Sequence, residues 1–269
     1  MVDSPSKMNK TERQASILQL IVSEGDVSVA NLASRFGVSE MTIRRDLSEL
    51  SEKGSINRHH GGAMPTRESV VGFMFRQRAE EHAVEKKAIA KIVSAMIKPG
   101  MTVGLDTGTT ILEVAKMLSA CNNITVLTTS LSIAAALHTL ESVEVILLGG
   151  SMRKNSPDLM GHLTENNINM FHMDVAILGA DAVMPDGAYT TDVRIAGISR
   201  AFCKNSDKII LAVDHSKFSA RGIIRCLDID VIDCLVTDEL CELSCREWLE
   251  KKVKKIIYAP IYDEKGEKK

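Results

Sequence analysis

The chain has 269 residues, of which 45% are hydrophobic, and its formal net charge is −2. This length fits two domains, one small and one of about 170–190 residues that can bury a full core, and the low net charge implies no general attraction to polyanions. The uncharged stretch 117–140 is interrupted too often by Asn, Ser and Thr to span a membrane, and no apolar signal segment is visible at the N-terminus. We therefore expect a cytoplasmic protein with no membrane partner.

The first predicted element is a helix from Thr11, with Gln14 three residues later at the spacing of a capping box. Its apolar residues recur at helical spacing and form the buried face: Ile17, Leu18, Ile21 and Val22. This helix supports the segment that follows it.

Residues 28–62 have the pattern of a winged helix-turn-helix, which places one helix in the major groove of DNA. Ser28 is placed to cap the first helix of the pair, and Gly37 can adopt the positive φ of the turn. Ser39 is placed to cap the second helix, whose apolar residues face inward: Ile43, Leu47 and Leu50. The outer face then carries residues predicted to contact DNA. These are Ser39, Met41, Thr42, Arg44, Arg45 and Ser48.

A short basic hairpin follows, and Arg58, His59 and His60 are predicted to touch phosphates as the wing. Residues 1–62 contain eight Lys or Arg and eight Asp or Glu, so charge alone leaves open a small helical domain whose arginines are only solvated. The adjacent histidines are also a candidate metal site, but without Cys or carboxylate spacing a wing is favoured. The stretch 61–69 contains Pro65 and indicates a linker. We therefore predict a DNA-binding domain at 1–62, a linker at 63–79 and a second domain at 80–269.

Beyond residue 80, helical stretches alternate with short apolar runs. This alternation predicts an α/β domain with a mostly parallel sheet. The predicted strands are 102–106, 124–128, 143–149, 174–180, 208–213, 230–238 and 254–259.

Four loops fall at the carboxyl ends of these strands, where ligands of parallel sheets bind. Glycine, hydroxyl groups and a lysine suit a phosphate, because backbone N–H groups at a helix start attract anions. Each loop alone has a simpler interpretation as a helix cap, a turn or a solvated lysine, and their convergence favours a site. The candidate residues are Asp106, Thr107, Gly108, Thr109 and Thr110, then Thr128, Thr129 and Ser130, then Gly149 and Gly150, and finally Lys217.

Two stretches of the chain resemble the DeoR family of bacterial repressors. The run VSEMTIRRDLSEL followed by RHHGGA resembles its N-terminal signature, and the DTGTT, TTS, Gly-Gly and DHSKF segments resemble its effector domain. The resemblance spans about residues 10–240 and implies an effector domain similar to ribose-5-phosphate isomerase that senses a phosphorylated sugar. Thr129 stands where the family commonly has asparagine, and Asp192, a further candidate ligand, stands where it often has glutamate.

An active sugar-phosphate isomerase is the rival function. The segment 174–187 resembles an isomerase motif in which Asp181 keeps one aspartate, a candidate ligand, while Leu178 and Ala182 replace two other carboxylates. Aldose–ketose isomerisation needs a carboxylate base, so no enzyme activity is expected. A third alternative is a DNA-binding protein whose second domain only oligomerises.

We therefore predict a transcriptional repressor of carbohydrate genes. It would bind a double-stranded DNA operator as a homo-oligomer, a dimer or tetramer, and a phosphorylated sugar effector would release it. The six cysteines show no CxxC or other paired metal-ligand spacing, and we expect no metal and no cofactor.

Overall fold

The computed structural model describes residues 8–120, 123–154 and 156–262. The chain divides into two compact units, Met1–Arg78 and Ala79–Lys269. No helix within the described ranges is both long and apolar enough to cross a membrane.

The first unit consists of three helices, a three-stranded sheet and most of a fourth helix. Its elements are α1 (Lys10–Glu24), β1 (Val27–Ser28), α2 (Val29–Phe36), α3 (Glu40–Glu52), β2 (Ile56–His59), β3 (Gly62–Pro65) and α4 (Arg67–Glu80). Apolar residues from α1, α2, α3 and the strands form one core that includes Ile17, Leu32, Ile43, Leu47 and Ala63. The winged helix-turn-helix prediction is confirmed.

Of the three N-caps predicted from the sequence, two are present in the structure. Ser28 and Ser39 cap α2 and α3 as predicted, and Gly37 between them has the left-handed φ of 63°. The predicted start of α1 is wrong, because Asn9 is its cap and forms the capping box with Glu12. Asparagine is a stronger N-cap than a threonine that already lies inside the first turn.

The segment expected to be a linker is instead regular structure. Residues 62–65 pair with β2 as the second strand of the wing, and residues 67–80 form α4. Pro65 is tolerated because it is the last residue of its strand, opposite Ile56. Gly62 is required in β3, since a Cβ there would overlap the carbonyl oxygen of Val27.

The second unit is an α/β domain. Its elements are α5 (Ala83–Ser94), β4 (Thr102–Leu105), α6 (Thr109–Met117), β5 (Ile124–Thr128), α7 (Leu131–Leu137), β6 (Val143–Leu147), β7 (Ser151–Met152), β8 (Leu159–Met160), α8 (His162–Ile168), β9 (Val175–Leu178), β10 (Ala182–Met184), β11 (Gly187–Thr190), α9 (Val193–Lys204), β12 (Ile209–Ala212), β13 (Ile224–Asp228), β14 (Cys234–Asp238), α10 (Leu243–Lys252) and β15 (Ile256–Ala259).

Seven of these strands form one parallel sheet in the order β15-β14-β12-β9-β4-β5-β6. Every residue of β9, β12 and β14 is buried, so this part of the sheet is covered on both faces. The chain runs outward from β4 through β5 and β6 and then returns to β9 on the other side of β4. The carboxyl ends of β4 and β9 therefore form the switch point at which ligands of such sheets bind.

All seven predicted strands are present, but the predicted start of one is wrong. Five further strands among the described residues of this unit were not predicted. Residues 229–231 form a short 3-10 helix, so the strand predicted at 230–238 begins only at Cys234. A small antiparallel sheet of β10, β11 and β13, and the β7–β8 hairpin, were not predicted.

Candidate DNA-binding and effector sites

The outer face of α3 carries the residues predicted to contact DNA. Met41, Arg44 and Arg45 are exposed, and Arg44 forms an ion pair with Glu40 one turn earlier at 3.5 Å. An exposed pair of this kind is weak, so the guanidinium remains available to a base edge or a phosphate.

Ser39, which caps α3, and Ser48 within α3 both have local structural partners. The Ser39 Oγ accepts the backbone N–H of Thr42 at 3.2 Å and lies 2.9 Å from the Thr42 hydroxyl. The Ser48 Oγ accepts a hydrogen bond from Arg58 of β2 at 2.5 Å. The wing is thus tied directly to the helix predicted to read bases.

The hairpin histidines differ in their surroundings. The His59 Nε2 lies 2.7 Å from Asp26 Oδ1, and this contact anchors the hairpin next to β1. His60 is exposed in the turn between β2 and β3. Of the two, His60 is the residue that is better placed to meet a phosphate.

Asp46, for which no role was predicted, anchors α3 on α1. Its buried carboxylate accepts hydrogen bonds from Arg13 Nε at 2.7 Å and Gln14 Nε2 at 3.2 Å. The bond to Asp46 raises the pKa of Arg13. These bonds hold one face of α3 against α1 and leave Met41, Arg44 and Arg45 on its exposed surface.

In the second unit, the loop after β4 leads into α6 at the switch point. Asp106 is buried and accepts the backbone N–H of Thr107 at 2.8 Å and the Ser199 hydroxyl at 3.3 Å. Gly108 has a φ of 110° and begins α6 without a side-chain cap, a position that favours glycine. A helix start leaves its first backbone N–H groups without intrahelical partners, which suits an anion.

Burial is the main cause that raises the pKa of Asp106, to about 7. The hydrogen bond from the Thr107 N–H opposes this rise, and the nearby charge of Asp158 adds to it. A buried carboxyl that titrates near neutral pH marks a polar site inside the domain.

Asp158 joins the loops after β4 and β5. The Thr107 hydroxyl donates to Asp158 Oδ1, and Asp158 forms an isolated bridge with Ser130. The backbone N–H of Leu159 donates to the Thr129 carbonyl at 2.9 Å. Thr129 Oγ1 is itself buried and has no hydrogen-bond partner within the described part of the chain.

Arg153 connects this cluster to the start of α9. Its guanidinium lies 3.6 Å from Asp158 Oδ2 and 3.6 Å from Asp192 Oδ2. Asp192 caps α9 through the Arg194 N–H, and the Arg194 side chain lowers the pKa of Asp192. The structure therefore brings the first two predicted loops and Asp192 together around one arginine.

Three further predicted positions have other surroundings. Asp181 accepts three hydrogen bonds, from the Thr190 hydroxyl and from the backbone N–H and hydroxyl of Thr191. Gly150 packs against α8 so closely that a Cβ would overlap the Thr164 hydroxyl, and the Gly149 carbonyl accepts a bond from the same helix. The glycine pair thus serves close packing.

Lys217 lies two strands away from the β4 loop, in a 3-10 helix after β12. Burial lowers the pKa of Lys86. The charge of Asp214 opposes this decrease, and the charge of Lys217 adds to it. The three charged groups therefore lie close together. No contact among the described residues joins Lys217 to Thr107 or Asp158.

Sequence reasoning missed Arg153, Asp158 and Ser199. Arg153 and Asp158 lie in the connection around β7 and β8, where the charged run MRKNSPDL after a glycine pair was the available signal. Ser199 lies within α9 and becomes visible only when that helix packs beside the β4 loop.

Each of the two units matches a known protein family. A family model described as a DeoR-like helix-turn-helix domain matches residues 13–68, and one described as the DeoR C terminal sensor domain matches residues 81–239. The chain belongs to the DeoR family. This DeoR-family chain is a DNA-binding transcriptional regulator, with its helix-turn-helix in the first unit and its sensor domain in the second.

Relatives of this DeoR-family chain cover nearly its whole length. The glycerol-3-phosphate regulon repressor of Escherichia coli (strain K12) is 36% identical over 86% of this chain and 92% of its own length. The transcriptional repressor AccR of Agrobacterium fabrum is 35% identical over 92% of this chain and 97% of its own. Among solved structures, a D-ribose-5-phosphate isomerase in complex with phospho-erythronic acid aligns with a TM-score of 0.38 and 20% identity over 49% of this chain and 52% of its own.

Proposed function

We propose that the chain represses carbohydrate genes by binding their operator, and that a phosphorylated sugar or sugar derivative in the second unit releases it. The observation that carries the effector proposal is the cluster of Thr107, Asp158 and Arg153 at the switch point of the parallel sheet. The names of its relatives as repressors support the direction of control. Release requires that the effector bind the DNA-free state more tightly than the DNA-bound state.

The DNA contacts that we propose lie on one face of the first unit. Thr42, Arg44 and Arg45 would meet base edges, and Arg58 and His60 would meet phosphates beside them. The support is geometric: Asp46 and its partners hold the opposite side of α3 against α1, and the Arg58–Ser48 bond keeps the wing next to the helix.

To test this assignment, the purified chain is used to select the duplexes that it binds from a random DNA pool. Arg45→Ala should weaken binding of the selected duplex by roughly 1–3 kcal/mol and relax its sequence preference, as expected for loss of a base contact. Arg35→Ala is the matched control, since this arginine lies in α2 and pairs with Glu24 at 2.5 Å. Wild-type affinity and preference in Arg45→Ala would refute the groove assignment.

The proposed effector site combines three kinds of phosphate ligand. The start of α6 offers backbone N–H groups beside Gly108, the Thr129 hydroxyl is buried with no partner among the described residues, and Arg153 offers a positive charge. Bound phosphate would displace the arginine from one of its two carboxylates. Lys217 is proposed as a second cation that reaches the other end of the ligand.

Thermal unfolding across a panel of sugar phosphates and their unphosphorylated parents tests the effector site. A ligand at about 100 times its Kd adds roughly 2.7 kcal/mol of stability, which is easily measured. The increase in stability should appear with a phosphorylated compound, be absent with its parent and be lost in Arg153→Ala and Lys217→Ala. The control is Lys204→Ala, an exposed lysine of α9.

No stabilisation across the panel, with DNA binding intact, would refute the effector proposal. It would favour the alternative that the second unit only oligomerises. A stabilisation that survives both substitutions would place the ligand elsewhere in the unit.

We propose a homo-oligomer because paired half-sites in DNA suit a two-fold symmetric protein. Apolar side chains exposed on the second unit support this: Met170 is 72% exposed, Leu243 76% and Ile223 82%. Sedimentation equilibrium tests it, and a monomer at concentrations that saturate DNA would refute it.

We propose that the second unit has no isomerase activity. Leu178 and Ala182, which stand where the isomerase motif has carboxylates, are both fully buried and apolar. Asp181 already accepts three hydrogen bonds, which leaves it poorly placed to act as a base. Aldose–ketose turnover by the purified chain above the rate of a heat-inactivated sample would overturn this proposal.

A further inference from the structure

Three side chains of types that can bind a metal ion lie close together in the second unit. Ligand atoms of His82, Glu85 and His215 all lie within 4.8 Å of one another. The two imidazole rings are 4.9 Å apart and nearly perpendicular, with an interplanar angle of 81°. Two nitrogens and one carboxylate form a donor set that zinc and similar divalent ions favour.

The carboxylate of Asp238 fixes the orientation of the His215 ring. Its Nδ1 lies 2.9 Å from Asp238 Oδ1, and its backbone N–H donates to the other oxygen of the same carboxylate at 2.8 Å. Asp238 is fully buried at the end of β14. A carboxylate that holds one ring nitrogen sets the tautomer and leaves Nε2 to offer its lone pair, an arrangement typical of metal-bound histidines.

His82 has a left-handed backbone, which is uncommon among residues other than glycine. It precedes α5 in the left-handed region, with a φ of 54°, and its side chain makes no capping hydrogen bond among the described residues. Asparagine or glycine is more common in such a conformation. The imidazole instead faces His215, and Glu85 follows in the first turn of α5.

We propose that His82, Glu85 and His215 bind a divalent transition-metal ion such as Zn²⁺. Three protein ligands leave a fourth tetrahedral position for water or an external ligand. Glu85, and Asp238 behind His215, supply two negative charges, which balance the charge of the ion. Binding would tie the start of the second unit to the loop after β12 that carries Lys217.

Cobalt titration of the chelator-treated full chain tests the proposal. Co²⁺ should bind with one equivalent per chain and give ligand-field absorption bands without thiolate-to-metal charge transfer, and Zn²⁺ should displace it. His82→Asn should weaken binding roughly tenfold or more, and because asparagine tolerates the left-handed backbone this variant should fold. His172→Ala, which removes an exposed histidine, should bind as the wild type does.

Three results would overturn the site. One is the absence of a stoichiometric cobalt complex in the wild type. Another is undiminished binding in both His82→Asn and His215→Ala, with circular dichroism confirming that each is folded. The third is a thiolate charge-transfer band, which would place the metal on cysteines instead.

Discussion

Asp106 should make the stability of the second unit fall as the pH rises. Its carboxyl is buried in a loop that also approaches Asp158, and its pKa is about 7 against 3.8 for an ordinary aspartate. The folded chain therefore holds this proton more tightly than the unfolded chain does. The stabilisation is fully present below the unfolded pKa and is lost as the pH rises through the folded pKa.

The size of the effect follows from the two pKa values. Ionising Asp106 in the folded state costs about 4 kcal/mol in total, because a difference of one between two pKa values corresponds to about 1.36 kcal/mol. Of this, about 2–3 kcal/mol should be lost between pH 5 and pH 8, because over this range the folded chain gives up a proton that the unfolded chain has already lost. Asp106→Asn removes the titration and keeps an oxygen for the Thr107 N–H.

Urea unfolding followed by tryptophan fluorescence measures this loss. Trp248 is the single tryptophan of the chain and packs against Phe218, with ring centroids 6.3 Å apart, so its signal follows the second unit. The stability of Asp106→Asn relative to the wild type should rise by about 2–3 kcal/mol between pH 5 and pH 8.

Asp192→Asn is the matched control. Arg194 lowers the pKa of Asp192, so this carboxylate is ionised in both states between pH 5 and pH 8 and its loss adds no slope there. If the wild type and Asp106→Asn change in parallel over this range, Asp106 is not the buried acid described here.

Four other substitutions test the packing and the DNA contacts. Asp46→Ala should destabilise the first unit by roughly 1–3 kcal/mol, because Arg13 and Gln14 lose their buried hydrogen-bond acceptor. Unfolding followed by circular dichroism would measure this loss, and a near-wild-type stability would contradict the anchoring role. Gly150→Ala should cost about 1–3 kcal/mol, since the new Cβ overlaps a hydroxyl of α8, whereas Gly149→Ala, with 3.7 Å to its nearest neighbour, should be tolerated. Arg58→Ala should reduce the slope of log affinity against log salt by about 1, and an unchanged slope would remove this side chain from the phosphate contacts.

Local patterns in the sequence were sufficient to predict the helix-turn-helix and the main sheet. Caps at Ser28 and Ser39 and the apolar runs of the parallel strands act over a few residues, so they can be recognised one at a time. The strand β13 was missed because it pairs across about 40 residues, from Asp228 to Gly187, and gives no hairpin signal. The strands β10 and β11 form a local hairpin around Pro185 and Asp186, and this turn signal was overlooked. Pro65 was misjudged because its effect depends on whether its position in the ladder needs a donor.

The candidate sites show the same division between local and distant interactions. The loop 106–110 follows a strand directly and was predictable from its own residues. Its partner Asp158 lies 51 residues further along the chain, and His82 and His215 are further apart still. Only the folded chain shows which charged residues meet, since many side chains of the same type remain on the surface.

The order of the elements along the chain also sets the order in which the two activities arise during synthesis. The core of the first unit is complete once Ala63 has emerged, whereas the sheet that holds the switch point still awaits β9 and β12. At the usual pace of about 5–20 residues per second, roughly 10–30 s pass before the loop carrying Lys217 is made. During that interval a nascent regulator would hold a folded DNA-binding unit while its sensor domain is still incomplete.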